Sequence, residues 1–158
     1  MENIRRLDLC DPSVAEEIWA LQHAAYRLEA ALIGVAELPP LQDTVQSLRQ
    51  REEEYYGYYE ADGELAGSVS VLRTGREMTI CRMMVAPDRL RRGIASALLA
   101  DLLHRRYPGC AWTVHAAARN IPAIRLYERS GFRISDTWQP FPGLAMVRLT
   151  RPEAAEKL

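Results

Sequence analysis

From Asn3 to Leu9 apolar and polar residues alternate loosely, the two-residue period of a strand with one face buried. The period changes after Asp11-Pro12-Ser13. There Ile18, Leu21, Ala25, Leu28 and Leu32 recur at helical spacing, and Gly34 predicts the helix end. Two caps compete for its start: Asp11 with Pro12 in the first turn, or a capping box of Ser13 and Glu16. Pro39-Pro40 forces an extended break, Asp43 is placed to cap a short helix through Leu48, and the charged run Arg49 to Glu54 leads into sheet.

Strand signals then dominate. Tyr55 to Glu60 and Leu65 to Leu72 flank Ala61-Asp62-Gly63-Glu64, whose Asp-Gly pair favours the positive φ angles of a tight hairpin. A second turn at Thr74-Gly75-Arg76 returns the chain into Met78 to Val85, giving three consecutive antiparallel strands closed by Pro87-Asp88. Ile94, Ala97, Leu98 and Leu102 mark the apolar face of the next helix, which ends near Pro108-Gly109. Ala111 to Ala116 reads as a short buried strand and Ile121 to Ser130 as a helix stopped by Gly131. Phe132 to Thr137 and Leu144 to Leu149 close the pattern as strands around Pro140-Phe141-Pro142-Gly143. This alternation predicts an α/β domain built on a mixed sheet.

Composition narrows the classes. A chain of 158 residues, 48% apolar and 26% charged, is long enough for one real core and too short for two, so residues 1–158 are expected to form one domain. Charge interrupts every apolar stretch before the roughly 18 residues of a membrane span, and Met1-Glu2-Asn3-Ile4-Arg5 lacks the apolar block of a signal peptide. A cytoplasmic protein without a membrane partner is the expectation. A net charge of −1 supplies no global field for nucleic acid, so any anion site must be local. Cys10, Cys81 and Cys110 show no paired spacing and read as reduced thiols. His23, His104 and His115 have no partner at metal-ligand spacing, and no metal is expected.

One segment carries candidate chemistry. Pro87-Asp88-Arg89-Leu90-Arg91-Arg92-Gly93-Ile94-Ala95-Ser96 joins a strand to a helix and places small residues in the helix's first turn. Free N–H groups and the positive end of the helix dipole favour an anion there, small residues let a pyrophosphate approach, and Arg91 and Arg92 add charge. A solvated basic loop would look the same. It is neither a Walker loop nor a dinucleotide fingerprint, because Gly-Lys-Ser/Thr and the three-glycine pattern are both missing.

Together with the strand before it, the segment Arg91-Arg92-Gly93-Ile94-Ala95-Ser96-Ala97-Leu98-Leu99 resembles motif A of the GNAT N-acetyltransferases. Asn120 to Phe132, with Asn120, Ala123, Leu126-Tyr127 and Gly131-Phe132 in order, resembles the family's motif B. The resemblance spans essentially the whole chain. It implies a single-domain fold with a mostly antiparallel sheet of about seven strands, splayed in the middle and flanked by about four helices. It also implies acetyl-CoA as acetyl donor.

By resemblance, Met83, Met84 and Val85 pair their main chain with the pantetheine arm, and Arg91, Arg92, Gly93, Ile94, Ala95 and Ser96 hold the pyrophosphate. Asn120 would contact the cofactor near its arm, and Tyr127 would protonate the departing thiolate. A phenol is still protonated at neutral pH and so able to do this. Asn120 and Tyr127 stand seven apart and project to one side of their helix. The motif's first position falls on Leu90 rather than Gln or Arg, with Arg89 nearest.

The departure that matters most is on the strand, where many members carry a glutamate. Here Thr79 and Cys81 are the alternate inward positions. Glu29, Glu54, His115 or a chain of waters could take the amine's proton instead; the water chain is preferred, since direct attack needs only a neutral amine. The acceptor, a small-molecule amine or a protein or peptide amine, is expected near the first helices, where Tyr26, Glu29 and Tyr56 are candidates among Trp19, Leu38, Tyr55 and Tyr58. An acyl-CoA sensor without catalysis is the alternative. A homodimer would follow the family's habit.

Overall fold

The structure, a computed structural model, describes residues 3–154; Met1 and Glu2, part of the expected start, lie outside them. Seven strands form one sheet: β1 (Ile4–Leu7), β2 (Glu54–Tyr59), β3 (Leu65–Thr74), β4 (Glu77–Val85), β5 (Ala111–Ala117), β6 (Arg133–Phe141) and β7 (Leu144–Arg151). The helices are α1 (Pro12–Ile33), α2 (Val45–Arg49), α3 (Ile94–Ala100), continued by a π-helical stretch Asp101–Arg106, and α4 (Ile121–Arg129). The spatial order is β1-β2-β3-β4-β5-β7-β6, antiparallel throughout except at β4 and β5. That one parallel pair is what the α3 crossover between them requires. Among the described residues, no helix is long and apolar enough to cross a membrane.

The strong local signals hold. Gly63 turns the β2–β3 hairpin at φ +83°, with the Glu64 amide donating to the Asp62 carboxylate at 2.9 Å. Asp11 caps α1, accepting from the Ser13 amide at 3.0 Å with Pro12 in the first turn, so the Asp11 alternative prevails over the Ser13–Glu16 box. Gly34 ends that helix in the left-handed region, its N–H donating to the Ala30 carbonyl at 3.0 Å.

Two expectations are corrected. Thr44, not Asp43, caps α2, in a capping box with Ser47. Asp43 points inward, because a buried arginine recruits it. The apolar stripe of α1 also rotates: its buried residues include Ile18, Leu21, Gln22, Ala30 and Ile33, while Leu28 and Leu32 are exposed. A 22-residue helix crosses more than one neighbour, so no single stripe faces the core along its whole length.

Strand β4 decides where a site can form. Its register against β3 slips between Ser70 and Val71, leaving Cys81 as the extra, unpaired residue of a bulge. Before the bulge Met78 and Ile80 lie in the largest core cluster; after it Met83 and Val85 pack against that cluster, and Met84 turns to the α1 core. The expectation that Thr79 and Cys81 face inward is therefore corrected: Cys81 is exposed and Arg82 is buried. Pairing with β5 runs only from Glu77 opposite Ala111 to Ile80 opposite Val114. Beyond that the two strands part.

Candidate active site

The parting of β4 and β5 opens a cleft of about 660 Å³ between α1, the end of β4, the loop into α3, and α4. Its floor is the stretch Met83, Met84 and Val85, main chain that β5 no longer pairs. At one end lie Arg91, Gly93, Ile94, Ala95 and Ser96. Gly93 adopts φ +76° and Arg91 φ +64°, so the loop curls in a conformation that L-residues rarely adopt. Among the described residues no side chain caps α3, which leaves its first N–H groups available to an anion. The start of α3 sits tightly on the sheet because Gly67 has no Cβ: one built there would lie 2.7 Å from Ile94 Cγ2.

The loop arginines divide. Arg91 is exposed and lines the cleft, whereas Arg92 does not line it. The Arg92 guanidinium donates to Glu60 at 2.9 Å, and Arg89 donates to Glu60 at 2.8 Å and to Asp62 at 3.0 Å. Both side chains thus tie the loop to the β2–β3 hairpin. Leu90, at the motif's irregular position, lines the cleft as an exposed apolar residue.

The other end holds the titratable groups. Tyr26 and Glu29 project from α1, and Asn120 from the start of α4. Asn120 Oδ1 accepts from the Ala123 amide at 3.3 Å as the helix cap, while its Nδ2 donates to Glu29 Oε1 at 2.6 Å. Burial raises the Glu29 carboxyl above its usual range, and the Asn120 hydrogen bond only partly opposes this. Tyr127, on α4, is buried against Phe132, with ring centroids 5.5 Å apart, and does not itself line the cleft. Burial, and then the Glu29 charge, push its phenol above the ordinary value. Tyr26 is raised likewise, by burial, then Glu29 and Tyr127, against the opposing Arg82 charge and the Met83 amide.

The remaining candidates lie elsewhere. Tyr56 stands on β2 with its hydroxyl 2.6 Å from that of Tyr107, so the expected grouping of Tyr26, Glu29 and Tyr56 is not a grouping in space. Glu54 accepts from Tyr107 and pairs with Arg6 at 3.4 Å. His115 stacks edge-on against Trp138 at 5.3 Å, its ring held below the usual histidine range by burial and by Arg148. Trp19 is bound through its indole N–H to the Asp43 carbonyl at 2.9 Å.

Sequence reasoning missed a buried charge cluster beside the cleft. Arg82 donates to Asp43 at 2.5 Å and to Glu53 at 3.0 Å, with all three side chains at least nine-tenths buried. Gln22, Ser47 and Arg51 also donate to Asp43, and Ser70 donates to Glu53. Burial alone would raise the Asp43 carboxyl, yet these donors together hold it at about 2. An arginine inside an apolar strand was the available signal; which way it faced depended on the bulge.

The cleft thus joins an uncapped helix start, unpaired strand backbone, a carboxylate and the protonated phenol of Tyr26, with the Tyr127 phenol buried close enough to influence it. That set can hold an extended, anionic, amide-containing molecule and move protons at its far end. A profile of the acetyltransferase (GNAT) family matches residues 15–132. The UPF0157 protein YqkA of Bacillus subtilis (strain 168) is 34% identical over 136 residues, 86% of this chain and 39% of that protein. The peptidyl-lysine N-acetyltransferase YiaC of Escherichia coli (strain K12) is 40% identical over 82 residues, 51% of this chain and 52% of that protein. The chain therefore spans about half or less of these relatives' lengths. The PaiA N-acetyltransferase of Thermoplasma acidophilum, solved with coenzyme A, superposes with a TM-score of 0.72 at 15% identity, covering 96% of this chain and 98% of that one. At that identity the likeness is one of fold.

Proposed function

The chain belongs to the GNAT acetyltransferase family, and from that premise we propose that it transfers the acetyl group of acetyl-CoA to a primary amine, by direct attack in a ternary complex. The observation that carries this reading is the continuity of one cleft, from the uncapped start of α3 along the unpaired end of β4 to Glu29 and Asn120. When bound, acetyl-CoA supplies the activated thioester. The N–H groups of Gly93 to Ser96 face its pyrophosphate and Arg91 adds charge, while Arg92 acts indirectly by anchoring the loop to Glu60. The main chain of Met83 to Val85 pairs with the pantetheine amides as an added strand would.

At the reacting end Tyr127 donates its proton to the departing thiolate. Its raised phenol is fully protonated at neutral pH, which suits an acid. Tyr26 and Glu29 form the acceptor side, where a carboxylate beside an aromatic ring favours a cationic amine. The relative YiaC, by name a peptidyl-lysine N-acetyltransferase, puts a lysine side chain first among acceptors to try.

Calorimetry with coenzyme A, followed by an acceptor screen with acetyl-CoA that reads thiol release, tests the proposal. Binding together with amine-dependent release is expected. Binding without release on any amine would favour a sensor, a reading motivated by the absence of an acid on the inward face of β4.

A further inference from the structure

We infer that Glu29 is the group that takes the proton from the acceptor amine, and that Asn120 is the residue that positions it; this rests on the acetyl-transfer reading. Glu29 is the only carboxylate lining the cleft among the described residues. Other buried or half-buried acids are already engaged: Asp43 and Glu53 with Arg82, Glu54 with Tyr107, Glu60 with Arg89 and Arg92. Glu29 forms no salt bridge with a described residue and accepts a single protein hydrogen bond, from Asn120.

A half-buried carboxylate without a cation is unfavourable for the fold, which is the mark of a group kept for chemistry rather than stability. Its orientation is not left to chance. Because Asn120 Oδ1 caps α4, its Nδ2 is aimed at Glu29 Oε1, while Oε2 accepts no hydrogen bond from a described residue.

The steps balance. A bound ammonium gives one proton to Glu29 and becomes a neutral amine, whose nitrogen forms the bond to the thioester carbon. The tetrahedral adduct collapses with loss of the C–S bond. Tyr127 protonates the thiolate, and the second nitrogen proton restores Tyr127. Products are the acetamide, the thiol and one proton, which leaves Glu29 for solvent. The two groups are coupled, since the Glu29 charge is what raises Tyr127 beyond the effect of burial. Neutralising Glu29 with the amine's proton therefore eases proton release from Tyr127 at the step that needs it.

The test compares wild type, Glu29→Gln, Glu29→Asp and Asn120→Ser, with a lysine-containing peptide and a simple primary amine as acceptors. The titratable phenols of Tyr26 on α1 and Tyr127 on α4, and the cations Arg129 on α4, Arg82 on β4, and Arg89 and Arg91 of the loop, surround Glu29 and the cleft. Glu29→Gln is expected to bind coenzyme A as wild type does and to lose about 100-fold in kcat/KM at pH 7. That loss should shrink as pH approaches the amine's own pKa. Glu29→Asp should recover part of the activity. Asn120→Ser keeps a capping oxygen but removes the amide donor that lowers the Glu29 pKa, so the acid limb should move to higher pH.

A Glu29→Gln enzyme with the wild-type pH profile would overturn the assignment and leave acetyl transfer standing. Loss of coenzyme A binding in Glu29→Gln would also overturn it, placing Glu29 in the donor site. A wild-type protein that binds coenzyme A and acetylates no amine would overturn the acetyl-transfer reading itself.

Discussion

One stripe of α1 supplies two polar clusters of opposite character. Gln22 joins the Arg82–Asp43–Glu53 cluster, and Tyr26 and Glu29, four and seven residues on, join the cleft. In the first, each carboxylate meets a guanidinium and neutral donors fill the remaining positions. In the second, one carboxylate is met by one amide, and two phenols stand by unionised. The difference separates holding from reacting. A buried cluster whose charges are all paired fixes the α1–α2 segment against β4, whereas an under-paired one keeps groups free for a substrate.

Breaking the satisfied cluster should have the largest effect. Asp43→Asn leaves Arg82 facing an amide, and unfolding in urea should show a loss of about 3 kcal/mol, with kcat of the folded fraction kept within about twofold. The pH behaviour follows from the same residue. Its folded pKa of about 2 lies below the ordinary aspartate value of about 3.9, so its stabilisation is present above about pH 4 and is lost as pH falls through about 2. Acid melts of Asp43→Asn should lack that component.

In the open cluster the effect should be on rate instead. Tyr127→Phe removes the proton donor and should lower kcat by about 100-fold at unchanged coenzyme A affinity. Full turnover of that variant would remove Tyr127 from the acid role.

Arg91→Ala tests the far end of the cleft. It should weaken coenzyme A binding about fivefold, in line with one exposed charge on a phosphate, whereas Arg92→Ala should act mainly through loop order. Equal effects of the two on affinity would argue against the division described above.

The smallest and sharpest contrast is in stability. Glu29 has a carboxyl raised above the unfolded value, so it weakens the fold increasingly as pH rises through the ordinary carboxylate range. Glu29→Gln should therefore melt about 2 °C higher than wild type at pH 7, with the difference vanishing below about pH 4. The two acid-to-amide changes are thus expected to have opposite signs in one protein.

Much of this was legible beforehand because it is local. Turns at Asp62-Gly63, the Asp11 cap, the strand–loop–helix around Gly93 and the asparagine opening α4 each depend on a few adjacent residues. The aromatic grouping that included Tyr56 failed because Tyr26 and Glu29 stand on α1 and Tyr56 on β2, and no local pattern says which face of the sheet the Tyr56 ring takes. The Asp43 cap failed because a competing partner lay 39 residues away. Leu28 and Leu32 look like core by period, but they border an opening that only the parted strands create.

By itself the sequence determined the element order, the uncapped loop-to-helix start at Gly93 and the family, since periodicity, turn chemistry and paired motifs are properties of short segments. Only the tertiary structure decided what β4 presents to its two sides. One extra residue at Cys81 reverses every later side chain, turning Arg82 into the core and placing Met83 on the cleft. The same structure brought Glu29 to Asn120 across 91 positions. Such pairings are set by packing of whole elements, a free energy that no local pattern carries.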